Sequence, residues 1–236
     1  MKTAIVIGGT GLVGTQLVNL LLNDQEFEKV VVFGRRSSNI TNPKFEEHLI
    51  DFSKPESWKN LVKGDALFSC MGTTRAKAGS KKKQYETDYT YQYNFADIAS
   101  RNGVNEYVLV SSEGANAKSL FFYMRMKGEL EAAVKNIPFK KIVIVRPAQL
   151  YGKRNEKRMS ETVGLAIRRA LNKIGLFQKR RPIHARRVAG AMIESLKYYE
   201  STATVSSYEL FGLAKFYDRN RHVNYKKSES NGLYAN

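Results

Sequence analysis

An apolar run near the start of the chain, Thr3-Ala4-Ile5-Val6-Ile7, breaks into glycines at a fixed interval, Gly8-x-x-Gly11-x-x-Gly14. An amphipathic stretch over residues 11–22 follows at once. A strand that turns sharply into a helix needs this chemistry. One glycine permits the tight turn, one lets the backbone come close to a ligand, and one lets the helix pack against the strand. The helix start then offers unpaired N–H groups and partial positive charge to an anion. A glycine triplet alone is a weak signal, because turns use glycine anyway. Placed between a strand and an amphipathic helix, it predicts a dinucleotide pyrophosphate site.

The rest of the first 150 residues repeats the alternation. Strands are predicted over 3–7, 30–33, 47–50, 66–70, 107–110 and 142–145. They are rich in Val and Ile and apolar almost without alternation, as strands buried on both faces of a parallel sheet are. Helices are predicted over 11–22, 53–62, 85–101 and 119–135. The second of these opens on Ser53-Lys54-Pro55-Glu56, which reads as a capping box. This order calls for an α/β fold, a doubly wound parallel sheet of the Rossmann type. Beyond Arg146-Pro147 the pattern changes. Residues 160–173 and 186–199 read as helices and 204–210 as a late strand. We expect one domain over 1–217, with a core over 1–150 and a small C-terminal substrate cap over 151–217. A polar, loose tail is expected from Asp218 to the end.

The chain has 236 residues, ample for a sizeable core. Its single Cys cannot close an internal disulfide, which argues for a reducing compartment. No stretch approaches the roughly 18 apolar residues a membrane helix needs, and no signal-peptide pattern precedes the glycine turn. The expectation is a cytoplasmic protein with no transmembrane segment. The net charge of +17 is carried mostly by residues beyond 150. Its basic runs are Lys81-Lys82-Lys83, 153–158, Arg168-Arg169, Lys179-Arg180-Arg181 and Arg186-Arg187. With no zinc-finger spacing, aromatic RNA-binding motif or basic zipper, nucleic acid as a partner rests on charge alone. The bland reading is a soluble, basic surface. The three His are scattered, so no metal site is expected. No Walker loop and no Gly-x-Ser-x-Gly elbow is present, which removes the commonest phosphoryl-transfer and hydrolase readings. Cys70, at a strand end, reads as a buried, inert thiol.

The end of the second strand bears on the choice of dinucleotide. NAD-preferring sites carry an acid there to hold the ribose 2′-hydroxyl. Here Val30-Val31-Val32-Phe33 runs into Gly34-Arg35-Arg36. Two guanidinium groups suit a 2′-phosphate, which Arg grips as a fork, so NADPH/NADP is expected over NAD. Asp51 and Phe52, after the third strand, are placed near the adenine by position only.

Tyr123-Met124-Arg125-Met126-Lys127 is a Tyr-x-x-x-Lys, and about one such pair arises by chance in a chain of this composition. Its placement says more. It lies in a predicted helix after the fifth strand, which ends in Val110-Ser111-Ser112, where an α/β sheet opens its ligand crevice. Residues four apart share a helix face, so Lys127 is expected to favour the anionic form of the Tyr123 phenol. Ser112 is expected to hydrogen-bond a substrate carbonyl.

Together, the glycine turn, the Val-Ser-Ser strand end and Tyr-x-x-x-Lys resemble the short-chain dehydrogenase/reductase superfamily in its atypical or extended form. Cys70-Met71-Gly72-Thr73-Thr74-Arg75-Ala76-Lys77-Ala78-Gly79-Ser80 and Phe122-Tyr123-Met124-Arg125-Met126-Lys127-Gly128-Glu129-Leu130-Glu131 are similar to the branch of Tat-interacting-protein-like oxidoreductases. The resemblance runs over roughly residues 1–200. It implies that Gly8, Thr10, Gly11, Leu12 and Val13, with Gly14, line the pyrophosphate. It places Arg35 and Arg36 on the 2′-phosphate, and Met71, Gly72 and Thr73 along the adenosine half. Ser112, Tyr123 and Lys127 form the implied catalytic set, Lys127 also bonding the nicotinamide ribose. Ser111 is the fallback serine. The segment from Arg146 through Pro147 to Leu150 covers the nicotinamide. Two departures stand out. Asp88 and, further along, Asn94 occupy the stretch where many relatives carry an Asn used in proton relay. Around His184, an Arg stands where the extended family usually has an acid.

The first function expected is an NADPH-dependent oxidoreductase acting on an unidentified carbonyl or related small-molecule substrate. The alternative is a non-catalytic NADPH sensor that signals to a protein partner. A further alternative is a nucleotide-sugar epimerase or dehydratase, against which the short stretch after Leu150 counts. Monomer and homodimer both stay open.

Overall fold

The computed structural model describes residues 1–152 and 181–232, with side chains followed to residue 220. The expected helix over 160–173 and the basic runs between 153 and 180 lie outside the described residues.

The strands are β1 (Lys2–Ile7), β2 (Phe27–Gly34), β3 (Phe45–Leu49), β4 (Ala66–Ser69), β5 (Glu106–Val110), β6 (Lys141–Val145), β7 (Leu150–Tyr151), β8 (Ile183–His184) and β9 (Ala203–Val205). The main sheet has the order β3-β2-β1-β4-β5-β6-β9, and every neighbouring pair is parallel. That order carries the doubly wound arrangement, with its switch point between β1 and β4. β7 and β8 form a separate two-stranded ribbon. The helices are α1 (Leu12–Leu22), α2 (Arg75–Ala78), α3 (Lys81–Tyr85), α4 (Tyr91–Arg101), α5 (Phe122–Val134), α6 (Ala185–Tyr198) and α7 (Ser207–Gly232).

The strands were apolar without alternation because both faces are covered. Ala4, Val6, Val30, Val32, Phe68, Val108 and Val143 share one core with α1, α6 and α7. Their neighbours in the chain, Ile5, Ile7, Val31, Phe33, Leu67, Leu109 and Ile144, share the other with α4 and α5. A pleated strand sends alternate side chains to opposite faces. The described helices after residue 181 thus belong to the main core, through Val188, Met192, Leu210 and Leu213.

Capping chemistry explains two differences from expectation. Residues 53–62 form no α-helix, only 3₁₀ turns at Pro55–Ser57 and Lys59–Leu61. The Ser53 N–H and hydroxyl both donate to Asp51 Oδ1, at 2.9 and 2.7 Å, so Ser53 turns backward and cannot cap. Trp58 donates from Nε1 to the Asp51 carbonyl at 2.8 Å and sinks into the core beside Phe52 and Phe95. A reciprocal box forms instead at Ser206-Ser207-Tyr208-Glu209. The Ser206 N–H donates to Glu209 Oε2 at 2.8 Å, and the Glu209 N–H donates to Ser206 Oγ at 3.3 Å. The expected strand over 204–210 therefore stops at Val205, and α7 begins at Ser207. The expected start of a tail, Asp218, falls inside that helix. The expected helix over 85–101 is divided by a π turn at Glu86–Thr90, which buries Asp88.

Candidate active site

The glycine turn meets the end of β4. The Cys70 N–H donates to the Ile7 carbonyl at 2.9 Å, and a Cβ on Gly8 would stand 2.6 Å from the Cys70 carbonyl carbon. Gly8 also has φ +78°, a left-handed conformation that favours glycine. A Cβ on Gly14 would stand 2.1 Å from the Gly8 carbonyl oxygen, so the third glycine is what lets α1 close on the turn. Gly11 caps α1 without a side-chain hydrogen bond, and no acid occupies the first turn. The opening N–H groups of the helix, on Leu12, Val13 and Gly14, therefore have no intrahelical acceptor. Thr10 is exposed at the tip of the turn.

Around this turn the C-terminal ends of the central strands bring other expected residues together. Met71 is buried after β4, and Thr73 gives its N–H to Asp88 Oδ1 at 2.7 Å. Gly72 between them is exposed. Arg35 and Arg36 follow β2 with exposed side chains, and Arg35 acts electrostatically on the Tyr91 phenol. Asp51 is exposed and engaged with Ser53. Phe52 is not on the surface. It is buried, stacked against Tyr91 and packed with Trp58 and Phe95, so its ring supports the site from beneath. Pro147 is buried and accepts the Glu113 N–H at 3.0 Å, while Leu150 lies in β7.

The structure separates the two serines. The Ser112 hydroxyl lies close enough to the Tyr123 phenol to favour its charged form, and donates to the Glu113 carbonyl at 3.3 Å. Ser111 points elsewhere, donating its hydroxyl to Glu131 at 2.5 Å. The loop that carries Ser112 reaches α5 because position 128 is glycine. A Cβ there would stand 2.1 Å from the Ala117 nitrogen, and Asn116 donates to the Met124 carbonyl at 3.0 Å.

Tyr123 does not have the acidity expected from the sequence. Burial, then the negative charge of Asp88, pushes its phenol up to about 12, against the opposing effect of the nearby Ser112 hydroxyl. Lys127 fails to lower it because its charge faces acids. Lys127 is buried, its ammonium donates to the Val110 carbonyl at 3.4 Å, and the carboxylates acting on it are Asp88 and Glu131. Burial lowers its affinity for a proton, and those two acids oppose that effect. Glu131 is itself buried and held by Arg146, whose Nε donates at 2.9 Å and whose Nη2 also donates. Burial pushes the Cys70 thiol up to about 12, which makes it a poor nucleophile.

Glu131 received no role from the sequence, and Asp88 appeared there only as a departure from the Asn of relatives. A signal for Glu131 was present. Tyr123, Lys127 and Glu131 are spaced four apart, so they share one helix face. That face lies against the sheet, where a charged residue needs a partner. For Asp88 no local pattern existed, since only the π turn makes it internal. Among the described residues no group of His, Cys, Asp and Glu is arranged for a metal, and no helix is long and apolar enough to cross a membrane.

The NAD dependent epimerase/dehydratase family model matches residues 4–210. "Protein FMP52, mitochondrial" of Candida albicans is 36% identical over 172 residues, 69% of this chain and 75% of that protein. "Protein FMP52-1, mitochondrial" of Scheffersomyces stipitis is 32% identical over 225 residues, 88% of this chain and 99% of that protein. A solved UDP-N-acetylglucosamine 4-epimerase from Methanobrevibacter ruminantium superposes with a TM-score of 0.66 at 18% identity, covering 86% of this chain and 76% of that one. At that identity the likeness is one of fold. The relatives' mitochondrial names correct the cytoplasmic location expected from composition. A single cysteine fits any reducing compartment, and the cytosol is one of several.

Proposed function

The chain belongs to the NAD-dependent epimerase/dehydratase family, and we propose that it is an NADPH-dependent oxidoreductase that reduces the carbonyl of a small molecule. The observation that carries this reading is the Ser112–Tyr123 pair, a hydroxyl close to a phenol, with the buried Lys127 one helical turn on. At neutral pH the phenol is protonated, so it carries the proton that a carbonyl oxygen must receive.

The residues fit a dinucleotide. Gly8 and Gly14 leave a cradle that Cβ atoms would fill, and the start of α1 has N–H groups to give. When bound, a reduced nicotinamide supplies hydride to carbon. Gly8, Thr10, Gly11, Leu12, Val13 and Gly14 hold the pyrophosphate. Arg35 and Arg36 take the 2′-phosphate, which favours NADPH over NADH because no acid stands at that strand end. Met71, Gly72 and Thr73 border the adenosine half, with Asp51 further out. Lys127 bonds the nicotinamide ribose, and Pro147 and Leu150 border the nicotinamide. Ser112 orients the substrate oxygen, and Tyr123 passes its proton to that oxygen as hydride arrives at the neighbouring carbon. The Ser112 hydroxyl favours the negative charge that develops on the phenol. The relatives' names support a mitochondrial setting for this activity.

A second reading, a nucleotide-sugar 4-epimerase, is favoured by the description of the family and by the fold neighbour that acts on a UDP sugar. The two readings differ in their stoichiometry. A reductase consumes NADPH with each carbonyl reduced, whereas an epimerase interconverts two sugars with no net oxidation. The test sets purified protein against a carbonyl panel, following loss of reduced nicotinamide, and against UDP sugars, following epimers by chromatography. We expect NADPH consumption with at least one carbonyl. Tyr123→Phe should lower that turnover by about 10²-fold or more and leave NADPH affinity unchanged. Epimers without net NADPH loss would replace the first reading with the second, and tight binding with no turnover on either panel would refute both.

A further inference from the structure

Asp88 is a buried carboxyl that the mechanism above does not use. Its side chain is fully enclosed in the π turn between α3 and α4. Oδ1 accepts the Thr73 N–H at 2.7 Å, while Oδ2 has no hydrogen-bond partner. The Gln84 amide from α3 lies close enough to favour the charged form, yet makes no bond of ordinary geometry to Oδ2. It also reaches toward the Thr73 carbonyl, at 3.4 Å. Gln92 from α4 donates to the Asp88 backbone carbonyl at 2.6 Å, which fixes the turn. From α5, Lys127 and Tyr123 both feel the Asp88 charge. The other groups around Lys127 are Glu131, already held by Arg146, and Cys70 at the end of β4.

An unpartnered carboxylate oxygen enclosed within the field of a buried ammonium is costly unless the two charges balance one another. Glu131 is committed to Arg146 and Ser111, so Asp88 is the acid left to balance Lys127. Through Oδ1 it also grips Thr73, the end of the loop that follows β4. We propose that Asp88 is a positioning residue for the dinucleotide: its carboxylate holds the Thr73 backbone through Oδ1 and acts by its charge, without direct contact, on the Lys127 ammonium, so that both present a formed surface to the ligand. This assignment rests on the cofactor reading above.

It has a consequence for pH. Burial raises the Asp88 carboxyl to about 6, against the pull of Lys127 and the Thr73 N–H. Above that value it is ionised and the site is formed. At pH 5 only about one tenth is ionised, and apparent affinity scales with the competent fraction. NADP⁺ binding by the whole chain, measured by calorimetry between pH 5 and pH 8, should therefore weaken about tenfold at the acid end through this group. Asp88→Asn keeps the Thr73 contact but has no charge. It should bind weakly at pH 8 and lack this limb. The ligand phosphate's own titration appears in every variant and cancels in the comparison. If Asp88→Asn does not fold, Lys127→Met serves, since the limb acts through Lys127 and should vanish there too. Wild-type affinity and an unchanged limb in Asp88→Asn, or an unchanged limb in Lys127→Met, would overturn the assignment while leaving the cofactor reading intact. No heat from the wild type at any pH would overturn both.

Discussion

The two halves of the site are built by opposite means. On the β1–α1 side the chain makes a seat by omission. Four glycines within seven residues remove side chains, and the backbone does the rest. On the α3–α5 side the chain works by addition. Asp88, Ser111, Ser112, Tyr123, Lys127, Glu131 and Arg146 come from separate turns, strand ends and helix positions, and most are buried. The first half is local and steric, so it tolerates no added atom. The second is long-range and electrostatic, so each member takes its properties from the others. The Tyr123 phenol shows this most directly, since its acidity is set by burial and Asp88, not by the Lys127 four residues away.

The contrast can be broken most severely on the steric side. Gly14→Ala places a Cβ 2.1 Å from the Gly8 carbonyl oxygen. We expect a loss of about 3 kcal/mol or more by urea denaturation, together with loss of dinucleotide binding by calorimetry. Stability retained with full binding would mean that the turn yields, and that steric exclusion is not its basis. On the electrostatic side, Glu131→Ala leaves Arg146 and Ser111 without their acceptor. It should cost no more than that, about 3 kcal/mol, because Arg146 keeps some access to water. The same variant should weaken the hold on Lys127, so its effect combined with Asp88→Asn should depart from additivity in a double-mutant cycle. Simple additivity would show that the buried charges act as separate pairs. The smallest effect is expected at the exposed rim. Arg35→Ala with Arg36→Ala should weaken NADPH binding by about tenfold to a hundredfold, about 1.4–2.7 kcal/mol, and leave NADH binding unchanged. Equal losses for both dinucleotides would remove the 2′-phosphate assignment.

Local chemistry was legible wherever a single element sufficed. The strands β1, β2, β5 and β6, the glycine turn and the start of α1 are visible in runs of Val and Ile and in glycine spacing. Capping was legible in kind and misplaced in position. Ser53 and Glu56 have the spacing of a box, yet Asp51 takes the serine, while the box that forms, Ser206 with Glu209, lies in a stretch rich in β-formers. Both stretches satisfy the same local rule. Which one obeys it depends on the pull of neighbours, such as the burial of Trp58 against Phe95.

The amino-acid sequence by itself determined that this chain builds a doubly wound sheet with a close glycine turn at the head of α1, because strand burial and glycine sterics act over a few residues. Tertiary structure alone decided which serine faces Tyr123, that Phe52 lies in the core, and that Asp88 is internal beside Lys127. Those outcomes turn on desolvation and charge balance between segments far apart in the chain, and no short window of sequence contains both partners.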